Sequence, residues 1–106
     1  MLIDVTGNEN YNAIQVNAYR SRNYGETEYW VSVVPVMVEG YCVSFKAFDG
    51  YKQTLATAKR ASKKAESDAM AQAMDCVPRM VERICDEKGL TVTKDYDVAW
   101  LTFKAN

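Results

Sequence analysis

Histidine is absent from these 106 residues. The chain therefore has no imidazole base near neutral pH, no histidine metal ligand and no triad of the Ser-His-Asp type. Long apolar runs are missing too. The longest, Val33 to Val38, is far short of the roughly 20 residues a bilayer span requires, so no membrane association is expected. Glycine numbers five and proline two, with no Gly-rich phosphate loop, no Gly-x-Ser-x-Gly and no acidic cluster at metal-ligand spacing. A cysteine nucleophile would lack its usual imidazole partner. These absences predict a protein that is not an enzyme, with no catalytic residues, no metal site and no cofactor. The three cysteines, Cys42, Cys76 and Cys85, are odd in number and form no Cys-x-x-Cys pair. Such usage points to buried thiols in a reducing compartment, hence to the cytoplasm. Met1 to Asn12 shows neither a basic n-region nor an apolar h-region, so no secretory signal is expected.

What remains is ordinary for a globular chain: 48% hydrophobic and 25% charged residues, in a length suited to one domain over 1–106. Met1 to Val5 has short-strand character, and Thr6 to Asn10 reads as a turn. Ala13 to Tyr19 alternates apolar residues with Gln15 and Asn17, the pattern of a strand with one wet face. Arg20 to Thr27, polar and containing Gly25, reads as a connecting loop. Glu28 to Val38 is the strongest strand signal. Tyr29, Val31, Val33 and Met37 share one face; Trp30, Val34, Val36 and Val38 share the other. Being apolar on both faces, it should be covered on both, and Pro35 should mark an edge or a bulge. Glu39-Gly40 predicts a tight turn before a strand over Tyr41 to Phe48. Asp49-Gly50 then predicts a type I′ hairpin into Tyr51 to Ala58.

Ser62 is a good N-cap for a long helix to Lys88, with Gly89 as its C′ residue. Ala65, Ala69, Ala73, Cys76, Val77, Met80, Val81 and Ile84 make one apolar stripe that stays in phase through Pro78, so one kinked helix is expected. Leu90 to Thr93 reads as a short strand, Asp95 to Asp97 as a turn that caps backbone, and Val98 to Lys104 as a closing strand. The expected fold is α+β: an antiparallel sheet of about four to five strands on one long Pro-kinked helix, in the order β-β-β-β-α-β.

The formal charge of −1 hides an uneven distribution. Residues 50–64 sum to +5, whereas residues 1–49 sum to −3 and residues 65–87 to −4. Lys59, Arg60, Lys63 and Lys64 straddle the expected helix start, where free N–H groups already favour anions. Arg20 and Arg22 are placed to reach the same side. Within this region, residues 61–74 (Ala-Ser-Lys-Lys-Ala-Glu-Ser-Asp-Ala-Met-Ala-Gln-Ala-Met) resemble the final helix of double-stranded RNA-binding domains, which has a Ser-Lys-Lys start, alanines every fourth residue and a preceding three-stranded sheet. The resemblance extends over residues 28–77. It implies that Lys63 and Lys64 face phosphates and that the Arg20–Arg22 loop enters a minor groove. The chain departs from that pattern where Glu66 or Ser67 replaces the motif's later lysine, and it leaves no room for the family's preceding helix.

Aromatic residues are plentiful between Tyr19 and Tyr51. Such residues anchor protein interfaces and also stack on bases. The first expectation is a small non-catalytic binding or regulatory protein that self-associates or contacts a protein partner through an aromatic-rich sheet surface built from Tyr29, Trp30, Val34, Val36 and Val38. The alternative is a nucleic-acid-binding module using Arg20, Arg22, Lys59, Arg60, Lys63 and Lys64.

Overall fold

Alternation along the first half of the chain builds a sheet, and one long amphipathic segment covers one of its faces. The computed structural model describes residues 1–44 and 49–105. It contains β1 (Leu2–Thr6), β2 (Ala13–Asn23), β3 (Glu26–Glu39), β4 (Cys42–Ser44), β5 (Tyr51–Ala58), α1 (Lys63–Lys88), β6 (Thr91–Val92), a 3-10 turn (Val98–Trp100) and β7 (Phe103–Ala105). The sheet order is β4-β3-β2-β1-β6, with β5 added on β3 and β7 on β2. All pairings are antiparallel except β2 with β7.

The α+β architecture with one long helix is as expected, but the described residues form a sheet of seven strands rather than four to five. The additional strands are short segments that extend the sheet edges. Val98 to Lys104 is not a continuous strand. Asp97 accepts a hydrogen bond from the Ala99 backbone N–H at 2.9 Å and starts a 3-10 turn that buries Val98 and Leu101, three residues apart. Only Phe103–Ala105 pairs as a strand.

Two expected connections also differ. Arg20 to Thr27 is not a loop, because β2 and β3 pair as far as Asn23 opposite Glu26 and leave a two-residue turn. Tyr24 and Gly25, at φ 52° and 79°, supply the positive values that a type I′ turn demands. Asp49-Gly50 does not form such a turn, since Gly50 has no positive φ. Instead β4 and β5 both lie on β3, pairing Met37–Glu39 and Thr27–Val33 respectively. Gly50 runs so close to β3 that a Cβ there would sit 2.7 Å from the Val33 carbonyl oxygen. The expected strand over Phe45 to Phe48 lies outside the described residues. Pro35 lies between the stretches that β4 and β5 pair, and no ladder partner for it on that edge falls among the described residues.

Ser62 caps α1 by accepting from the Ala65 N–H, and Gly89 ends it at φ 67°. The helix is continuous through Pro78. Pro78 and Met74, whose carbonyl loses its partner, are both exposed, so water can replace that bond. Ala69, Ala73, Cys76, Val77, Met80, Val81 and Ile84 pack on Ile14, Val16 and Ala18 of β2 and Tyr29, Val31 and Val33 of β3. Each fully buried valine or isoleucine contributes about 1.5–3 kcal/mol, which is what holds a helix of modest intrinsic propensity to the sheet. Among the described residues no helix is long and apolar enough to cross a membrane.

The β1–β2 connection closes over the C-terminal end of α1. The Asn8 Nδ2 donates to the Lys88 carbonyl at 2.8 Å, satisfying one of the helix's orphan acceptors. Gly7, at φ 113°, lies so near that a Cβ would stand 2.5 Å from the Gly89 carbonyl oxygen. Gly7→Ala should therefore lower the unfolding free energy by about 2–4 kcal/mol in urea titration, combining backbone strain with a clash against main chain.

Candidate nucleic-acid interface

The alternation of β2 places Ile14, Val16, Ala18, Arg20 and Arg22 on the helix side of the sheet. Arg20 stands opposite Tyr29 and Arg22 opposite Thr27. β5 ends with Ala58 also opposite Thr27, which delivers Lys59 and Arg60 to the same end of the sheet. The chain then turns through Ala61 and the Ser62 cap, so Lys63 and Lys64 open the helix there. A cleft of about 270 Å³ between these segments is lined by Arg20, Arg22, Thr27, Ala61 and Ala105. The structure thus brings all six candidate cations to one end of the molecule, from three separate segments. Arg20 is half-buried, Thr27 is buried, and the other five cations are exposed.

The two ends of the helix differ in how their charges are used. The four ion pairs among the described residues are Arg79–Asp75, Arg83–Glu87, Lys88–Asp49 and Lys94–Asp4, at 2.7–3.5 Å. Around the helix C-terminus they join a polar clamp. Tyr51 donates its hydroxyl hydrogen to Glu87, the Arg83 guanidinium lies 4.5 Å over the Tyr51 ring, and Tyr11 donates to Asp49 at 2.8 Å. The Tyr51 bond, aided by Arg83, holds the Glu87 carboxyl below the usual carboxylate range. None of Arg20, Arg22, Lys59, Arg60, Lys63 or Lys64 takes part in an ion pair among the described residues. Glu66 is the one acidic residue in the helix's first turn, and the helix dipole adds roughly half a positive charge.

The five residues expected to form an aromatic-rich interface do not share a surface. Tyr29 is fully buried under the helix, edge-on to Phe103 with ring centroids 5.2 Å apart. Trp30 and Val34 lie on the opposite face, both half-exposed. Val36 is buried on that face, and Val38 is half-exposed with its backbone clasped by Asn12. The physical reason is the pleat: consecutive residues of β3 point to opposite sides. Trp30 is itself occupied. Tyr19 stacks on it at 4.3 Å from one neighbouring strand, Lys52 Nζ lies 4.2 Å from its centroid from the other, and its indole N–H donates to Ser21 at 3.0 Å. A base stacking on Trp30 would have to compete with Tyr19 and Lys52.

Sequence reasoning counted Tyr24 only as one of the clustered aromatics and did not single it out, yet it is 99% exposed at the β2–β3 tip. The signal was present as Asn23-Tyr-Gly-Glu26, a two-residue turn inside what looked like a polar loop. It also missed Trp100, 69% exposed beside a groove of about 230 Å³ that includes Met1, Val16 and Lys104.

No protein-family model matches the chain, and no curated protein or solved structure is significantly similar to it. None of these comparisons carries the resemblance of residues 28–77 to double-stranded RNA-binding domains. No helix precedes the sheet among the described residues, and the arginines lie on a strand rather than in a groove-entering loop.

Among the described residues no three Cys, Asp or Glu side chains lie together as a metal site. Asp97 caps the 3-10 turn. Cys76 is buried and Cys85 half-buried on α1, and burial pushes both thiols up, whereas Cys42 is exposed on β4. At mildly alkaline pH one thiol per chain should react rapidly with a chromogenic disulfide reagent. Cys42→Ser should remove that phase and leave two thiols that react only slowly until denaturant is added.

Proposed function

We propose that this protein is a non-catalytic nucleic-acid-binding module that grips the phosphate backbone with the end of the molecule formed by Arg20, Arg22, Lys59, Arg60, Lys63 and Lys64. The observation that carries this reading is the contrast between the two ends of α1. Arg79, Arg83 and Lys88 are engaged by carboxylates around its C-terminal half. Among the described residues, the six cations gathered at its N-terminus are not. Cations from three segments, converging beside the N–H groups of a helix start, are suited to phosphate. The cleft between Arg20, Arg22 and Ala61 offers fork-shaped guanidinium donors that match phosphate oxygens.

Affinity for an oligonucleotide should fall steeply with salt, because each neutralised phosphate releases counterions. The double variant Lys63→Glu/Lys64→Glu should weaken binding by at least tenfold and shallow the slope of log K against log salt by about 1–2 units. An unchanged affinity and slope in fluorescence anisotropy would remove these lysines from the site.

A second reading, contact with another protein or a second copy, is supported by the uncovered sheet face. There a groove of about 340 Å³ runs past Gln15, Asn17, Tyr19, Trp30, Val34 and Lys52. It predicts a dimeric mass in light scattering that survives high salt, since an apolar contact responds little to screening. A monomeric mass at every concentration would discard it.

A further inference from the structure

The β2–β3 hairpin ends in an expensive choice of residue. Both central positions of its turn have positive φ, 52° at Tyr24 and 79° at Gly25. Asn-Gly is the pair such a turn prefers, and a bulky residue at positive φ is strained. Tyr24 gains nothing inside the fold in return: its side chain is 99% exposed. A phenol ring held fully in water on a rigid two-residue turn is an unsatisfied stacking surface. Its location gives it a partner of definite chemistry. Arg22, two residues earlier, points to the helix side with Arg20, where both line the cleft with Ala61. Lys59 and Arg60 follow the strand end that faces Thr27 across β3. Glu26, exposed at the closing pair of the turn, is on the opposite side of the hairpin from Arg22.

We propose that Tyr24 stacks on an unpaired base of a single-stranded nucleic acid whose backbone runs over the basic end, an inference that rests on the reading above. A duplex does not offer the ring a base face, since its bases are stacked on each other. A single strand offers one at every nucleotide, and the stacking is tolerant of sequence. Trp30 does not compete for this role, being covered by Tyr19 and Lys52. The hairpin therefore supplies the stacking contact, and the neighbouring cations supply the phosphate contacts.

The test uses the full chain with oligodeoxythymidylate, oligouridylate and a duplex of equal length, the single strands carrying one 2-aminopurine whose emission reports stacking. Tyr24→Asn installs the preferred turn pair, so it should unfold at the same or a higher temperature than the parent. It should nevertheless lose roughly tenfold in affinity for the single strand and most of the 2-aminopurine quenching. The salt slope should be unchanged, because no phosphate contact is removed. Tyr24→Phe should bind as the parent does, since the ring is retained. Full affinity and quenching in Tyr24→Asn, with binding still lost in Lys63→Glu/Lys64→Glu, would overturn the stacking role and leave the phosphate reading standing. Preference for the duplex would likewise overturn it. Absence of binding in every arm would overturn both.

Discussion

The eleven-residue pairing of β2 with β3, in unbroken register from Ala13 opposite Val36 to Asn23 opposite Glu26, is the constraint on which the rest of the molecule depends. A side-chain period of two makes register an all-or-none property: with β3 held in place, a slip of β2 by one residue would turn Ile14, Val16 and Ala18 away from the helix. The short turn at Tyr24-Gly25 fixes that register from one end. The same pairing decides that Arg20 and Arg22 emerge on the helix side, beyond the last small core residue, Ala18. The hairpin is thus both the floor of the core and the arm that carries two of the six cations.

Helix α1 extends that logic along the long axis. Its 26 residues run about 39 Å at 1.5 Å each, close to the 43 Å length of the molecule. At the C-terminal end, Gly7 and Asn8 close over the last turn while Tyr51, Arg83 and Glu87 tie it to β5. These contacts fix the helix in place. The N-terminal end is held by the Ser62 cap and by Ala69 and Ala73, whose small side chains let the helix approach the sheet closely. Lysines in a first turn oppose the helix dipole, so Lys63 and Lys64 destabilise the helix slightly, and an anion bound there would relieve that repulsion. Stability is concentrated at one end, and unsatisfied charge at the other.

Much of this was legible in the residues themselves. The helix limits followed from Ser62 and Gly89, the stripe through Pro78 from its phase, and the two faces of β3 from simple alternation. The failures have a common cause. Local patterns do not say which strand a segment will pair with. Tyr51 to Ala58 has the alternation of a hairpin partner, yet it lies on β3 end to end with β4, and Gly50 is needed for close approach to Val33 rather than for a left-handed turn. Val98 to Leu101 alternates like a strand, but the Asp97 side chain offers the backbone a competing partner and wins. The basic block was visible as a run of Lys and Arg. That Arg20 and Arg22 join it depends on a long-range pairing that no local window contains. Tyr24 was hidden for a similar reason: its turn became short only once β2 and β3 extended to meet it.

The net charge of −1 argues less against a polyanionic ligand than it first suggests. Charges interact over a Debye length of about 8 Å at physiological salt, not over the whole surface. Asp75, the first helical acid beyond Asp68, lies eleven residues past Lys64, about 16 Å along the axis, and it is already paired with Arg79. Glu82, Asp86 and Glu87 are farther still. Within reach of the basic end, the acids among the described residues are Glu66, Asp68, Glu26 and Glu28, four against six cations. A ligand arriving there meets a positive field, while one approaching the opposite end meets carboxylates bound in clamps. Sorting the charge along the long axis has a directional consequence. On the proposed reading, it would draw a phosphate-bearing ligand to the end that carries Tyr24, and the acidic remainder would repel it elsewhere.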